Sequence, residues 1–579
     1  MKRWLKYAKP YKKSFILGPL GMIVEVIGEM LMPILLALIL NLAKENELTP
    51  GRSVGIASVM VVVAALMMIG GIFGAYYGAK ASVNFATDLR QDIYNKVQKF
   101  SFSNIDSFST SSLVTRMTND VTQLQNFINM LLRMALRSPG MMIGGIVMAI
   151  MLRPSLSVIL AISIPCILIL IAVLIRIAFP RFGIMQTKID KLNSTVRENV
   201  TNVRVVKSFV REDYEVEKFS RDNADLKKSG MNAVKVIIFM GPLMNLFTYA
   251  SIIAILWFGH GHVLAPTNPM PVGDLSAFVV YTNQILMSLM MVTMLFMVSS
   301  RAMASGRRIC EVLDAEIDLT DDGAAFPDAV VTRGDVEFRN VSFRYYKDNE
   351  EKVLNNINLD IKAGSTVGII GSTGCGKTTL VSFIPRLYDT DEGEVYVDGI
   401  NVRDYSLVNL RDGVGMVLQK NVLFSGTISD NLRWGNQDAT DEEIRIASEH
   451  AAADKFISTF KEGYQTELEK GGANLSGGQR QRVCIARALI KKPKILILDD
   501  STSAVDTATE RQIQHALSSD LAECTKIIIA QRISSVKHAD MIIVMNDGVI
   551  TGIGKHDDLL NNNEEYAEIY YSQMDKKEA

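Results

Sequence analysis

The N-terminal half of the chain is a series of long apolar stretches separated by polar ones. A helix needs about 20 residues to cross the hydrocarbon core of a bilayer. Apolar stretches of this length or longer lie near residues 15–42, 54–79, 129–152, 155–179, 234–264 and 275–300. The pattern therefore predicts six membrane-spanning helices.

Two of the polar connections keep a helical period. Residues 80–128 contain LVTRMTNDVTQLQNFI, and residues 180–233 contain VRVVKSFVREDYEVEKF. Apolar positions three and four residues apart favour helix over loop, so we expect membrane helices to continue through both stretches. By contrast, the turn between the third and fourth spans is short and comprises the residues around Arg153, Pro154 and Ser155.

The distribution of basic residues predicts the orientation. The segment before the first span is rich in lysine and arginine, whereas residues 265–274 contain neither. Because basic residues concentrate on the cytosolic side, we expect both chain ends in the cytosol. The first apolar stretch exceeds the 7 to 15 residues of a signal-peptide core, so we expect a retained helix.

After residue 334, charged and β-branched residues alternate as in a water-soluble α/β protein. We expect a transmembrane domain over 1–313, a linker over 314–333 and an α/β domain over 334–579. The net charge of −1 argues against a nucleic-acid partner. The five cysteines have neither metal-type nor disulfide-type spacing, which is typical of a reducing cytosol.

The α/β domain contains a phosphate-binding motif. Residues 366–380 read TVGIIGSTGCGKTTL, a β-branched run followed by G-x-x-x-x-G-K-[ST]. In such a P-loop, glycines let backbone N–H groups surround the phosphates, a lysine neutralises them, and a hydroxyl ligates Mg²⁺. The predicted nucleotide-binding residues are Gly371, Ser372, Thr373, Gly374, Cys375, Gly376, Lys377, Thr378 and Thr379, with Thr378 also a magnesium ligand.

A second apolar strand, 495–498, ends in Asp499. Alone it would be read as a buried strand that ends in a surface turn. Together with a P-loop it predicts the Walker B element, whose carboxylate holds Mg²⁺ through water beside the P-loop strand.

Between these motifs lies LSGGQ, residues 475–479, before a helix rich in arginine. A Ser-Gly-Gly turn at a helix N-terminus is a second phosphate-binding site. Here the chain resembles the exporter branch of the ABC transporter family, of which this motif is the signature. The resemblance implies a six-helix transmembrane domain followed by an α/β P-loop ATPase, and a dimer in which each signature closes over ATP on the other subunit. The signature residues are Ser476, Gly477, Gly478 and Gln479.

Other family elements follow in order. By resemblance, Tyr345 stacks on adenine, although it could be an ordinary strand aromatic. Gln419 matches the glutamine that meets Mg²⁺, and residues 503–506 match the D-loop. The TRMTNDV and VRVVKSFVRE segments are similar to the two cytosolic loops of the exporters. The resemblance also implies a bacterial cytoplasmic membrane.

Two positions depart from the family pattern. Asp500 stands where the family has its catalytic glutamate, and Gln531 stands where it has its switch histidine. Aspartate is one methylene shorter than glutamate, and glutamine cannot relay a proton, so both should impair hydrolysis. Both belong to the site built on this P-loop, whereas LSGGQ is intact. We therefore expect a heterodimer with a second half-transporter; a homodimer would have two impaired sites.

The substrate is less constrained by the sequence. Glu25 and Glu29 share one face of the first span, where carboxylates are costly and commonly functional. They could bind a cationic or polar substrate, or merely face a water-filled cavity or a neighbouring helix. An apolar cavity favours small amphiphilic compounds, with lipids and peptides as alternatives. An ATP-gated regulatory membrane protein is the alternative function, and a P-loop ATPase with a simple membrane anchor is disfavoured by six spans.

Overall fold

The structure, a computed structural model, describes residues 2–265, 269–346, 351–501, 505–519 and 521–578. The chain forms two compact units. The helical unit comprises residues 1–98 and 111–314, and the α/β unit comprises residues 99–110 and 315–579. A short segment from the first polar connection, 99–110, thus packs within the α/β unit.

The N-terminal part of the chain, up to residue 314, is helical. In chain order the helices are α1 (Lys2–Ala8), α2 (Lys12–Lys44), α3 (Pro50–Gln98), α4 (Phe102–Phe108), α5 (Thr110–Thr115), α6 (Val121–Met134), α7 (Arg137–Leu152), α8 (Pro154–Thr201), α9 (Val203–Ser208), α10 (Glu212–Val263) and α11 (Val272–Asp314). Among the described residues, six helical stretches are long and apolar enough to cross a membrane, which confirms the predicted number.

The polar connections are helical, as the periodicity predicts. Helix α3 has 49 residues, α8 has 48 and α10 has 52, far more than a bilayer requires. The third predicted span, 129–152, differs from the prediction because it is broken between α6 and α7. Pro139, in the first turn of α7, has no N–H to donate to the carbonyl of Ala135, so one continuous helix is disfavoured there.

Glycines let α2 and α3 approach closely. A Cβ atom at Gly21 would lie 2.7 Å from the carbonyl oxygen of Gly70, and one at Gly18 would lie 3.3 Å from the backbone nitrogen of Gly78. Small residues at such positions let two membrane helices pack backbone against backbone. This packing orients the face of α2 that carries Glu25 and Glu29.

The α/β unit contains twelve strands among its described residues. They are β1 (Val336–Phe343), β2 (Leu354–Ile361), β3 (Thr366–Gly371), β4 (Glu392–Val397), β5 (Ile400–Asn401), β6 (Val414–Val417), β7 (Gly426–Thr427), β8 (Glu467–Leu468), β9 (Ile495–Asp499), β10 (Thr525–Ile529), β11 (Met541–Asn546) and β12 (Val549–Gly554). One sheet has the order β12-β11-β3-β10-β9-β6, a second the order β2-β1-β4-β5, and β7 pairs with β8.

The helices of this unit follow or separate the strands. They are α12 (Lys377–Ser382), α13 (Leu407–Asp412), α14 (Ile428–Arg433), α15 (Asp441–His450), α16 (Asp454–Ile457), α17 (Gly477–Ile490), α18 (Thr507–Ser519), α19 (His556–Asn562) and α20 (Glu564–Glu578). The unit is therefore an α/β fold, as expected, and its six-stranded sheet is largely parallel.

The six-stranded sheet positions the site. Strands β11, β3, β10, β9 and β6 are parallel neighbours, so their carboxyl ends share one edge. The P-loop follows β3, Asp499 ends β9, and Gln531 follows β10. Strand β10 lies between β3 and β9, so the Walker B strand does not pair with the P-loop strand directly. Ligands of open α/β sheets bind at this edge.

Candidate functional site

The P-loop has the backbone of a phosphate cradle. Gly374 and Gly376 have φ values of 88° and 97°, a region that side chains disfavour. A Cβ atom at Gly376 would lie 2.7 Å from the Leu354 side chain. The Lys377 ammonium donates to the carbonyl oxygens of Gly371 (2.8 Å) and Ser372 (2.7 Å). The loop thus combines open backbone with one cation at the start of α12, a donor set that fits a polyphosphate.

The other predicted P-loop residues surround this cradle. Cys375 is buried, and the Ser372 hydroxyl lies 3.4 Å from the Asn546 side-chain oxygen. Thr373 is exposed at the rim. Backbone rather than side chains therefore forms most of the cradle.

Thr378 and Asp499 meet at the carboxyl edge of the sheet. The Thr378 hydroxyl donates to Asp499 Oδ2 at 2.9 Å. Asp499 is only 1% exposed, and this burial raises the pKa of its carboxyl; the Thr378 hydroxyl and the Gln419 backbone N–H lower it. The exposed Gln419 thus reaches Asp499 through its backbone. A buried carboxylate beside a hydroxyl is the oxygen donor set that Mg²⁺ uses together with nucleotide phosphates.

Asp500 and Gln531 are in direct contact. Gln531 Nε2 donates to Asp500 Oδ2 at 2.8 Å. Asp500 has a φ of 48°, and its backbone is held by Ile529, whose carbonyl accepts at 3.0 Å, and by Gln481 Nε2, which donates at 3.1 Å. The two positions that depart from the family pattern therefore form one hydrogen-bonded pair.

The signature begins helix α17. The Ser476 hydroxyl accepts from the Gln479 backbone N–H (3.2 Å), and Gln479 Oε1 accepts from the Ser476 backbone N–H (2.9 Å). This capping box leaves Gly477 and Gly478 in the first turn, where helix N–H groups are free for an anion. Of the predicted D-loop, Ser503 and Ala504 lie outside the described residues, and the Asp506 carboxylate accepts from the Thr509 backbone N–H at 3.0 Å.

Tyr345 presents part of its ring to solvent. Its hydroxyl lies 2.9 Å from Thr379 Oγ1, and 40% of the residue is exposed. Phe343 and Tyr388 contact the ring edge to face, with centroids 5.1 Å and 5.3 Å away. Thr379 is buried and fixes the tyrosine beside α12, so the exposed ring is held near the P-loop.

Comparison with known proteins supports this architecture. Residues 15–289 match the family model described as ABC transporter transmembrane region, and residues 354–503 match the one described as ABC transporter. The chain is 37% identical over 580 residues to the uncharacterized ABC transporter ATP-binding protein YfiB of Bacillus subtilis, covering 100% of this chain and 99% of YfiB. The chain belongs to the ABC transporter family. Its α/β unit is the ABC-type ATPase, which binds ATP and couples its hydrolysis to transport.

Two further similarities are informative for this ABC transporter. It is 32% identical over 596 residues to the putative multidrug export ATP-binding/permease protein YgaD of Bacillus subtilis, with 98% of each chain covered. A solved structure of a bacterial Atm1-family ABC exporter with ATP bound matches with a TM-score of 0.80 and 24% identity, covering 97% of this chain and 98% of that one. At this identity the match establishes the fold.

The ABC transporter's helix α4 packs on the ATPase through residues that the sequence pattern did not reveal. The Tyr388 hydroxyl donates to Asp106 Oδ2 at 2.9 Å, and the rings of Phe102 and Tyr388 lie 6.0 Å apart. Tyr388 also contacts Tyr345. A chain of side chains thus joins Tyr345 to helix α4. Nothing in the local sequence around Tyr388 signals this role, because its partners are distant in sequence.

Glu25 and Glu29 share a partner that the sequence analysis missed. Arg137 Nη2 lies 3.1 Å from Glu25 Oε1 and 2.6 Å from Glu29 Oε1. The side chains are 17%, 16% and 24% exposed for Glu25, Glu29 and Arg137. Both Oε2 atoms are buried and accept no hydrogen bond from a described protein group, and Arg137 Nε likewise donates none. Two carboxylates thus share one guanidinium group.

Proposed function

We propose that this chain exports hydrophobic or amphiphilic compounds across the bacterial cytoplasmic membrane as one half of a heterodimer. In this proposal its own P-loop forms a slow, degenerate ATP site, and its LSGGQ completes the faster site of a second half-transporter. The pair formed by Asp500 and Gln531 carries the proposal. The similarity to a putative multidrug exporter supports export.

The degenerate site is proposed to hold Mg²⁺ and ATP without turning over quickly. Lys377 and the P-loop backbone would bind the phosphates, and Thr378 and Asp499, with Gln419, would hold Mg²⁺. The Mg²⁺ would neutralise phosphate charge. A general base must reach the attacking water at about 2.6 to 3.2 Å, and the short Asp500 side chain already accepts from Gln531. Gln531 can donate to a phosphate oxygen but cannot take up a proton.

Co-purification of differently tagged copies distinguishes a heterodimer from a homodimer. Two copies of this chain with different affinity tags would be expressed together in the native host and extracted in mild detergent. We expect each tag to retrieve the other copy only at background level, together with one second half-transporter. If each tagged copy efficiently retrieved the other, the heterodimer would be contradicted, and a homodimer with two impaired ATP sites would be favoured.

Transport itself is tested in inverted membrane vesicles. Vesicles that contain this chain and its partner should accumulate the amphiphilic cation ethidium when ATP is added, because inversion turns export into uptake. Vesicles with Lys377→Ala in this chain and the matching P-loop change in the partner are the control. ATP hydrolysis with no accumulation of ethidium, a lipid dye or a labelled peptide would favour the ATP-gated regulatory alternative.

The orientation is a separate part of the proposal. The basic segment before α2 supports cytosolic chain ends and a cytosolic ATPase. A green fluorescent protein fused to the C-terminus should therefore fluoresce, and alkaline phosphatase fused there should be inactive. The reverse pair of results would contradict this orientation.

A further inference from the structure

The last helix of the chain contacts the segment that carries the switch position. Gln573, in α20, donates from Nε2 to the Gln531 carbonyl oxygen at 2.8 Å and accepts from the Ile533 backbone N–H through Oε1 at 3.0 Å. One side-chain amide therefore bonds to the peptide groups on both sides of Arg532.

This pairing fixes the backbone conformation of the segment. Arg532 is extended, with φ −103° and ψ 129°. In an extended backbone, the carbonyl of the preceding residue and the N–H of the following residue point to the same side. The N–H and oxygen of a primary amide can bond to both, as the backbone of a neighbouring strand does. A carboxylate could not donate to the Gln531 carbonyl, and an aliphatic side chain could make neither bond. The Gln573 amide supplies both the donor and the acceptor that these two bonds require.

The two hydrogen bonds of Gln573 are connected to the ATP site through Gln531. Gln573 holds the Gln531 backbone, and the Gln531 side chain donates to Asp500. Further along, the Ser535 carbonyl accepts from Gln514 Nε2 at 3.0 Å, so α18 holds the other end of the segment. The position of the Gln531 side chain thus depends on how firmly α20 holds its backbone.

We propose that Gln573 is a positioning residue that sets the orientation of Gln531 and thereby the rate of ATP turnover at this chain's own site. The inference rests on the proposed function, because it takes residue 531 as the switch position. A group displaced by about 1 Å from its working position can cost up to about 10²-fold in rate. Because Gln573 acts through Gln531, its loss should change turnover more than ATP binding.

The test uses the full-length chain purified with its native partner. Radiolabelled azido-ATP is crosslinked to this chain at successive times, and the fraction converted to ADP gives the turnover rate of its own site. Gln573→Leu keeps the bulk of the side chain and removes both hydrogen bonds, and Gln573→Glu removes the donor alone. Ser572→Ala is the matched control, since its hydroxyl donates only to Ile569 within α20.

We expect Gln573→Leu and Gln573→Glu to slow conversion by about 3- to 10-fold, with the half-saturating ATP concentration changed by less than about 2-fold. Loss of one hydrogen bond should also speed hydrogen exchange of the Ile533 amide by about 2- to 10-fold in the leucine variant. In a Gln531→Ala background, Gln573→Leu should change conversion by less than about 2-fold, because the group it positions is gone.

Three results would overturn the inference. Gln573→Leu could match Ser572→Ala in both conversion and exchange, or exchange could rise with no change in conversion. Its effect could also persist in full in the Gln531→Ala background. Failure of the unchanged chain to label with azido-ATP would instead overturn the ATP site itself, so the two failures are distinguishable.

Discussion

Asp500 is one methylene group shorter than the family's glutamate, and its carboxylate is hydrogen-bonded to Gln531, the other residue that departs from the family pattern. Asp500 is held at its backbone by Ile529 and Gln481, so it cannot advance toward a nucleotide without breaking those bonds. Its carboxylate instead pairs with the Gln531 amide. The two residues that depart from the family pattern are thus hydrogen-bonded to each other, and Gln531 cannot take up a proton.

Restoring both family residues should therefore restore chemistry. We expect Asp500→Glu with Gln531→His to raise ATP conversion on this chain by about 10-fold or more, since a general base commonly contributes 10²- to 10⁴-fold. Each single change should give less, because base and switch act together. The measurement is conversion of crosslinked azido-ATP on this chain. No increase in the double variant would show that something other than these two side chains limits this site.

In the cluster of Glu25, Glu29 and Arg137, the arginine changes how the two carboxylates are interpreted. Arg137 forms ion pairs with both Glu25 and Glu29. Because the two carboxylates have a partner within the protein, a role in helix packing is favoured more than the sequence alone suggested. Two carboxylates against one guanidinium still favour a cationic group over a neutral one. The two interpretations predict different transport of cationic and neutral compounds.

Removing the charges separates these interpretations. If the cluster binds cations, Glu25→Gln with Glu29→Gln should reduce ethidium transport by about 10-fold and spare a neutral compound. Adding Arg137→Gln removes the uncompensated cation and controls for destabilisation. Glu47→Gln, at an exposed ion pair, is the matched control. Equal loss of cationic and neutral transport would favour packing.

Helix α4 is the part of the first polar connection that packs on the ATPase. It lies in the chain between α3 and α6 yet packs within the α/β unit through Asp106 and Phe102 on Tyr388. Because Tyr388 also contacts Tyr345, a base stacked on Tyr345 would restrict the same aromatic cluster. If Tyr345 stacks on the base of ATP, this cluster would connect nucleotide binding to helix α4.

Breaking this link should uncouple ATPase activity from substrate. We expect Tyr388→Phe or Asp106→Asn to leave basal ATPase activity within about 2-fold and to reduce its stimulation by substrate by about 2- to 5-fold. Tyr388→Phe removes the hydrogen bond, and Asp106→Asn leaves at most a neutral acceptor in place of the carboxylate. The double variant should resemble the single ones. Tyr396→Phe is the matched control, because that hydroxyl donates locally to Glu394. Unchanged stimulation in both single variants would contradict the role of this contact.

The sequence predicted the features that depend on local patterns. Six spans, helical polar connections and the order of P-loop, signature and Walker B follow from periodicity and motif spacing, and the structure and the family comparisons agree. The break before α7 could have been anticipated from Pro139, and the capping box from the Ser-x-x-Gln spacing of the signature. The roles assigned to individual site residues stay predictions.

Contacts between distant residues could not be predicted in this way. Arg137 lies 108 residues from Glu29, and Tyr388 lies 282 residues from Asp106. Gln573 is 42 residues from Gln531. An arginine at a helix start or a glutamine near the C-terminus has no local feature that names its partner. These pairs depend on tertiary packing, which periodicity does not encode.

At the level of the assembled transporter, the proposal gives the two ATP sites different roles. The signature of this chain would act on ATP held by the partner, and its P-loop would hold ATP under the partner's signature. The capped start of α17 offers backbone N–H groups to that second phosphate. One subunit can therefore be changed so that only one of the two sites is affected.

Two single variants of this chain test that asymmetry. Ser476→Arg should lower ATPase activity of the purified complex by about 10²-fold, because it blocks the site proposed to be fast. Lys377→Ala should remove azido-ATP labelling of this chain, since backbone amides cannot replace the ammonium charge, yet reduce total ATPase activity much less. Ser458→Arg and Lys461→Ala, both at exposed positions, are the matched controls. In a homodimer each change would alter both sites, so equal and nearly complete loss of ATPase activity in the two variants would contradict the division of labour.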